Sequence, residues 1–269
     1  SLLRSRTSNV ELIIADDCSR DGTATVISNW IAMHDSHFFR VSFLKNTKNI
    51  GTVRNVIQAV SSSTGDFIKL LAGDDWFTDH ALDSMQTFIQ ENAFDVAFSD
   101  ILSATEDTPV PDEQGKDSKY HDIAPFFALG SEEQFDFLAL RNRLPAPAAL
   151  FSRAFWNEIE LEKCQLVYTE DWAMWLLGTL KKSHFKRIDI PLVVYYMHSK
   201  SVSRKPDSRI FKRYMQDVAW TYKTLVLPNK NKLKSKTRLK VFLRYGLVKM
   251  LTCMPLQVIG WFAQLKSRL

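Results

Sequence analysis

The sequence VELIIADDCSRDGT, which runs from Val10 to Thr23, decides how the rest of the chain is interpreted. Its first half is a short, mostly apolar run rich in Val and Ile, which is typical of a buried strand. Two acids, Asp16 and Asp17, end that run, and an Asp-Gly turn follows them. Thr23, after the turn, is a residue type that caps helices. The stretch therefore predicts a buried strand that ends in acids and leads into a helix.

The same alternation of strand and helix continues as far as Asp100. Apolar residues recur at helical spacing between the strand-like runs, and Gly or Asp residues separate the segments. We expect strands at 10–17, 40–46, 66–72 and 94–100, and helices at 24–34, 49–63 and 79–92. This order predicts βαβ units, and therefore an α/β fold with a mostly parallel sheet flanked by helices.

A second pair of acids follows the third predicted strand, in LLAGDDWF at residues 70–77. In open sheets of this type ligands lie outside the carboxyl ends of the strands, so Asp16-Asp17 and Asp74-Asp75 should line one crevice. Paired carboxylates suit a hard cation such as Mg²⁺ or Mn²⁺, which binds carboxylates together with substrate phosphates. A structural alternative is that Asp74 caps a helix while Asp75 is solvated. The first interpretation predicts a divalent cation that bridges a diphosphate.

The second half of the chain has fewer predicted strands. Residues 103–122 are polar and predict a loop, and 142–159 predict a Pro-broken segment that leads into a strand and a helix. Helical spacing recurs at 131–140 and 169–182, and the run at 188–198 is strand-like. After residue 208 the sequence predicts helices to its end.

Charge and cysteine content limit the classes of function. The formal net charge is +5, but six cations lie in NKNKLKSKTRLK at 229–240, so the rest of the chain is nearly balanced. We therefore expect no nucleic-acid partner. Three separated cysteines without metal-ligand spacing indicate free thiols in a reducing, cytoplasmic setting. No apolar run reaches about 18 residues, so neither a signal peptide nor a spanning helix is predicted.

Three segments in a fixed order, ELIIADDCSRDGT, NIGTVRNVIQAVSSSTGDFIKLLAGDDWF and TEDWAMWL, resemble family 2 glycosyltransferases of the GT-A fold. The resemblance covers roughly residues 2–205 and includes every element of the family pattern except the first, a strand with a Tyr-Asn turn. Because the chain opens without Met, we expect that an N-terminal piece with this strand is missing. The resemblance implies a GT-A catalytic domain at 1–208, lacking its first strand, and a basic helical extension at 209–269.

The resemblance implies contacts between the donor and four side chains. Asp17 is expected to accept the imide N–H of uracil, which would select a UDP-linked donor. Asp16 is its neighbour, although a carboxylate there would equally support the turn and the helix N-terminus. Arg54 is expected to reach a phosphate or stack on a ring, and a solvated arginine on a helix face is the alternative. Asp74 is expected to contact the ribose or the donor sugar.

The metal ligands implied by the resemblance are Asp75 and His198. Asp75 would ligate Mn²⁺ or Mg²⁺, which would offset the charge of the leaving diphosphate. His198 lies in the segment YYMHSKSVSR, where it would contact the metal or the diphosphate, or serve only the structure. Three neighbours, Ser201, Ser203 and Arg204, would then belong to a closing loop.

Glu170 and Asp171 resemble the Glu-Asp pair of inverting family members. Asp171 would be the general base, taking the proton of the acceptor hydroxyl as that oxygen attacks the anomeric carbon in a single step. The alternative is an acidic helix N-terminus capped by Thr169. Trp172 would either stack on a sugar ring or pack in the core.

The C-terminal tail mixes Lys and Arg with Leu, Val, Phe and Trp, a pattern found in amphipathic helices that lie on anionic membranes. Peripheral contact of this kind, at the inner face of the cell membrane, would suit a lipid-linked saccharide acceptor. A helical cap on the domain and a dimer contact are the alternatives, and no oligomeric state is predicted.

The combined prediction is a metal-dependent inverting glycosyltransferase. It would transfer a sugar from a nucleotide-sugar donor to a hydroxyl of a glycan or lipid-linked saccharide, in cell-surface polysaccharide biosynthesis. A nucleotidyltransferase is the enzymatic alternative, since its Gly-rich phosphate loop and nearby Lys would lie on the first strand, in the N-terminal piece expected to be missing. A dehydrogenase is disfavoured because GxGxxG is absent. The alternative from another class is a non-catalytic module that binds a nucleotide or a partner.

Overall fold

The computed structural model describes residues 1–4, 9–108, 123–197 and 208–256. The strands are β1 (Glu11–Asp16), β2 (Arg40–Lys45), β3 (Phe67–Lys69), β4 (Trp76–Phe77), β5 (Val96–Thr105), β6 (Ala149–Ser152) and β7 (Phe185–Met197). The α-helices are α1 (Thr23–His34), α2 (Thr52–Ser61), α3 (Ala81–Glu91), α4 (Ser131–Leu138), α5 (Arg153–Ile159), α6 (Glu170–Lys181), α7 (Ser208–Thr221) and α8 (Ser235–Cys253). The predicted α/β fold class, with a helical C-terminal region, is confirmed.

The strands form two sheets. β1 and β2 pair in parallel from Glu11↔Arg40 to Asp16↔Lys45. The second sheet has five strands in the order β3-β6-β5-β7-β4. In it β5 and β7 are parallel, while the short pairings made by β3, β4 and β6 are antiparallel. The two parallel pairings are the longest among the residues described, as the alternation of strands and helices predicts.

Two strands, β3 and β5, differ most clearly in length from the prediction. β3 ends at Lys69 because the chain turns before β4, with the Asp75 N–H donating to the Ala72 carbonyl at 3.2 Å. β5 continues to Thr105, so the loop predicted at 103–122 begins later than expected. Thr105 pairs with Met197 of β7, and this pairing outweighs the polar local sequence. Residues 109–122 lie outside the described ranges.

A large aromatic core joins the five-stranded sheet to the helices behind it. Phe98 of β5, Phe135 of α4 and Trp175 of α6 are fully buried there. Trp172 belongs to the same core. Its indole N–H donates to the Leu138 carbonyl at 2.9 Å, and its ring meets that of Tyr222 edge-on at 5.2 Å. Of the two roles considered for Trp172, the structure shows core packing.

The C-terminal helices pack on this core. Val218 of α7 and Val241 and Val248 of α8 are buried in it, so the described part of the tail forms a helical cap. A domain boundary between 208 and 209 would fall at the start of α7, and it stays a prediction. Among the residues described, we find no helix with both the length and the hydropathy needed to cross a membrane.

Candidate active site

The first acid pair holds the end of β1 against the start of α2. The Asp17 carboxylate accepts the Ile50 and Gly51 N–H groups, both at 2.8 Å, one on each oxygen. Gly51 reaches this position with φ +89°, a backbone conformation that side chains disfavour. Asp16 is buried and accepts the Ser19 N–H at 3.2 Å. Both acids therefore stabilise the local backbone through hydrogen bonds. A carboxylate oxygen can accept more than one hydrogen bond, so Asp17 Oδ2 could still accept the predicted bond from uracil.

Two asparagines complete this junction, and neither was among the predicted site residues. Asn46 donates to Asp17 Oδ1 at 3.1 Å and to Asn55 Oδ1 at 3.0 Å. Asn55 in turn donates to the Ala15 carbonyl at 3.2 Å. Asn55 directly follows Arg54 in the motif quoted above, which is the signal that could have found it. Arg54 itself is exposed on α2, and its predicted role stays a prediction.

The second acid pair divides into one exposed and one buried carboxyl group. Asp74 is exposed, whereas Asp75 is buried with 8% exposure. Asp75 Oδ1 accepts the Tyr196 N–H at 3.0 Å, and Asp75 Oδ2 is buried without a hydrogen-bond partner in the described parts of the chain. Burial raises the pKa of Asp75 to about 6, against the lowering effect of the Tyr196 N–H. An unpaired buried carboxylate oxygen is costly, so this oxygen is a candidate ligand atom.

Lys69 is a positive group that the fold itself brings near Asp75. Its ammonium donates to the carbonyls of Leu70, at 3.2 Å, and of Pro147. Burial lowers the pKa of Lys69 to about 7, and the charge of Asp75 opposes this shift. Lys69 was not among the predicted site residues, although a lysine inside the apolar run FIKLL is an unusual strand residue and was the available signal.

Glu170 and Asp171 form the first turn of α6. Asp171 Oδ2 accepts from Asn142 Nδ2 at 2.5 Å, and Oδ1 accepts the Trp172 N–H at 2.7 Å. Burial raises the pKa of Asp171 to about 6 and that of Glu170 to about 8, and in Glu170 the charge of Asp171 adds to the effect. Thr169 makes no side-chain hydrogen bond to the helix, so the proposed threonine cap is wrong.

Asp171 opens into a cleft of about 360 Å³, which we call the Asp171 cleft. Its other lining residues are Ile123, Arg141, Asn142, Arg143, Leu144, Pro145, Ala146, Pro147 and Tyr195. Two contacts tie this cleft to the second acid pair. Pro147 accepts the hydrogen bond of Lys69, and Tyr195 adjoins Tyr196, whose N–H binds Asp75. Neither Asp74 nor Asp75 is among the described residues that line the Asp171 cleft, so a site shared by these two acid pairs stays a prediction, as does a crevice shared with Asp16 and Asp17.

A buried acid from the C-terminal cap holds the loop that precedes α6. Asp217 of α7 has 1% exposure, and its Oδ2 accepts the N–H groups of Val167, at 2.9 Å, and Tyr168, at 2.7 Å. Arg213 lies 3.6 Å from the other carboxylate oxygen. The position of the helix that carries Glu170 and Asp171 thus depends on a residue about 50 positions away, which no local pattern predicts.

Replacing Asp217 by Ala is expected to lower the free energy of unfolding by about 2–4 kcal/mol, because two half-buried N–H groups lose their buried acceptor. Urea denaturation followed by tryptophan fluorescence measures this loss. Asp189→Ala is the matched control, since it removes an exposed carboxylate paired with Arg187 at 3.1 Å. Equal midpoints for the two variants would contradict the anchoring role of Asp217.

The remaining predicted metal ligand cannot be placed. His198, with Ser201, Ser203 and Arg204, lies outside the described residues. Within the described residues, no group of three or more His, Cys, Asp or Glu side chains is arranged to hold a metal ion. In the described ranges, Asp75 Oδ2 is a buried carboxylate oxygen without a hydrogen-bond partner, and the neighbouring residue, Asp74, is exposed.

A sequence model of a protein family, described as "Glycosyl transferase family 2", matches residues 1–142, which is more than half of the chain. The chain therefore belongs to glycosyltransferase family 2. The predicted family is thereby confirmed.

The chain is similar to two curated proteins over short segments. It is 29% identical over 85 residues to abequosyltransferase RfbV of Salmonella typhimurium, covering 32% of this chain and 25% of that protein. It is 28% identical over 92 residues to the putative glycosyltransferase EpsE of Bacillus subtilis, covering 34% and 32%. The chain thus spans a third or less of each relative that it matches.

Solved structures of S. aureus TarS share the fold over most of the chain. TarS 1–349 in complex with UDP-GlcNAc has a TM-score of 0.56 at 12% identity, covering 99% of this chain and 82% of that chain. TarS 1–349 has a TM-score of 0.57 at 15% identity, covering 91% and 65%. At these identities the similarity shows the fold alone.

Proposed function

We propose that this chain is an inverting glycosyltransferase that transfers a sugar from a UDP-linked donor to a hydroxyl of a glycan or a lipid-linked saccharide. The observation that carries the proposal is the Asp171 cleft, of about 360 Å³, which a hydrogen-bonded carboxylate lines. One predicted acid pair offers this carboxylate, and another offers an orphaned, buried oxygen on Asp75. Inversion needs one base on one side of the sugar and a stabilised leaving group on the other.

Asp171 is the proposed general base. Asn142 and the Trp172 N–H orient its carboxylate in the cleft wall, and both hydrogen bonds favour the ionised form. The ionised carboxylate accepts the proton of the acceptor hydroxyl as the hydroxyl oxygen bonds to the anomeric carbon. The bond between that carbon and the diphosphate oxygen breaks in the same step, and the electron pair leaves with UDP. Glu170, whose raised pKa keeps it protonated near neutral pH, adds no second charge beside the base.

A divalent cation, Mn²⁺ or Mg²⁺, fits the orphaned Oδ2 of Asp75, because a hard cation binds one or two carboxylates together with substrate phosphates. Asp75 and the predicted ligand His198 would hold the ion. When bound, such an ion supplies positive charge that stabilises the departing diphosphate. Lys69 lies near Asp75, but because burial lowers its pKa to about 7, only part of its population is charged near neutral pH.

The proposed donor contacts follow the family pattern. Asp17 would accept from uracil, Arg54 would approach the phosphates, and Asp74 would contact the ribose or sugar. One of the TarS structures is a complex with UDP-GlcNAc, which supports a UDP-linked donor for this chain. The proposed setting is cell-surface polysaccharide biosynthesis in the cytoplasm, with peripheral contact at the inner membrane face through the basic C-terminal tail.

Calorimetric titration of the chain with UDP and with GDP, each with and without Mn²⁺, tests the proposal. We expect UDP to bind at least about tenfold more tightly than GDP, since a base contact to a charged group contributes about 1.5–3 kcal/mol. We also expect Mn²⁺ to strengthen UDP binding. Absence of UDP binding under all conditions would reject the proposed function.

The rate of sugar transfer is expected to rise with pH through about 6, because Asp171 must be ionised to accept a proton. Asn142→Ala removes a hydrogen bond that favours the ionised form, so the rise should move to higher pH. Initial rates of UDP release between pH 4.5 and 9 measure both profiles. Identical profiles for the two proteins would show that Asn142 does not position the base.

A further inference from the structure

A second cleft, of about 500 Å³, lies between residues 140–143 and helix α8. Its apolar lining consists of three leucines, Leu140, Leu243 and Leu247. Its charged lining consists of four cations, Arg141, Arg143, Lys240 and Arg244. No acidic residue is among the described residues that line it, so the cleft favours an anion attached to an apolar group. We call it the leucine–arginine cleft.

Helix α8 presents this mixed surface on one face and is anchored by two valines on an adjacent face. Lys240, Leu243, Arg244 and Leu247 follow the i, i+3, i+4, i+7 spacing that places side chains on one helix face. Val241 and Val248 are buried in the core, and their packing fixes the rotation of the helix so that the four cleft-lining residues border the cleft. Leu243 and Leu247 are 68% and 52% exposed, so both side chains are accessible to a ligand in this cleft.

The leucine–arginine cleft adjoins the Asp171 cleft. Arg141 and Arg143 line both, so the same short segment borders the proposed base and the mixed surface. Arg143 is held in place by the ring of Phe137, 4.5 Å from its guanidinium carbon. A molecule that placed its anionic group on these arginines would extend from one cleft into the other.

We propose that the leucine–arginine cleft binds the phosphate and the first isoprenoid units of a lipid-linked saccharide acceptor. The arginines and Lys240 would neutralise the phosphate, the leucines would cover the chain beside it, and the sugar hydroxyl would face Asp171. This assignment rests on the proposed function and names its acceptor class. Charge complementarity favours it, because a free sugar would need no cluster of four cations and a free phosphate would need no leucines.

Binding of farnesyl phosphate, held below its micellar concentration, tests the proposal by calorimetry on the full chain. We expect it to bind at least about tenfold more tightly than inorganic phosphate or farnesol, since only it offers both chemistries. Lys240→Gln with Arg244→Gln, and separately Leu243→Gln with Leu247→Gln, should each weaken farnesyl phosphate binding at least about tenfold. Inorganic phosphate binding as tight as that of farnesyl phosphate would overturn the lipid assignment.

Matched controls come from the same helix. Lys236→Gln with Lys249→Gln removes two exposed charges, and Leu239→Gln with Met250→Gln removes two exposed apolar groups, all outside the cleft lining. We expect these pairs to change farnesyl phosphate binding by less than about twofold. The proposal would be overturned if the cleft variants and the control variants lost equal affinity for farnesyl phosphate. It would also be overturned if all variants bound only phosphatidylglycerol vesicles, and bound them equally, because the helix would then be a general membrane-binding surface.

Two further measurements distinguish the lipid site from a dimer contact and from the donor site. Ultracentrifugation measures the oligomeric state of the wild type and of the variant that carries both Leu243→Gln and Leu247→Gln. Dimerisation of the wild type alone would overturn the proposal, because a second copy would then cover the cleft. UDP titration of the same samples separates the two proposals. UDP binding without farnesyl phosphate binding rejects only the lipid site, whereas farnesyl phosphate binding without UDP binding rejects the glycosyltransferase function and, with it, the acceptor role.

Discussion

Asp171→Asn is expected to lower the rate of sugar transfer by about 10²–10⁴-fold, the usual contribution of a positioned general base. Asparagine keeps the size of the side chain and an oxygen that accepts the Trp172 N–H, but it cannot take a proton from the acceptor hydroxyl. Because Asp171 lies in the cleft wall, donor binding should be almost unchanged, with a UDP affinity within about twofold of the wild type. UDP release with a saturating acceptor, together with UDP titration, measures both quantities.

Glu170→Gln is the matched comparison for Asp171→Asn. Both substitutions remove one carboxylate from the first turn of α6, yet of the two only Asp171 is among the described residues that line the Asp171 cleft. We expect Glu170→Gln to retain more activity than Asp171→Asn. If Asp171→Asn transfers sugar at the wild-type rate, the chain does not use this base, and a non-catalytic binding module then accounts better for the site.

Helices were predicted well from the sequence, because the apolar spacing that defines a helix lies within a short segment. The spacing of apolar residues correctly predicted α1, α2, α3 and α6, and the acids that follow β1 were correctly placed at its end. Strand lengths were predicted less well, because a strand ends where its partner ends. β5 reaches Thr105 only because β7 offers Met197 in register, and those residues are far apart in sequence.

The supporting residues of the site could not be predicted from the sequence for the same reason. Asn142 reaches Asp171 across 29 positions, Asp217 reaches Val167 across 50, and Lys69 reaches Pro147 across 78. Each is a polar residue whose hydrogen-bond partner is set by tertiary packing. The residues next to it in the sequence therefore give little information about that partner. Only Lys69 had a local signal, because a charged side chain within an apolar strand requires a polar partner.

Asp75→Asn is expected to abolish the strengthening of UDP binding by Mn²⁺. The substitution removes the charge of a carboxyl group whose Oδ2 is buried and unpaired in the described residues, while an amide oxygen can still accept the Tyr196 N–H. The loss should be at least about tenfold in UDP affinity with Mn²⁺, since a divalent cation loses a charged ligand. Without the metal, affinities of variant and wild type should agree within about twofold.

Thermal unfolding gives a second readout that does not depend on turnover. A ligand that binds only the folded state raises the unfolding temperature by mass action, so UDP with Mn²⁺ should raise that of the wild type and leave the Asp75→Asn variant near its unliganded value. Asp79→Asn is the control, because its exposed carboxylate pairs with Arg4 at 2.6 Å rather than facing the cleft. A shift retained in Asp75→Asn but absent in Asp74→Asn would move the metal ligand to the exposed member of the pair. A shift retained in both would mean that the acid pair does not bind the ion.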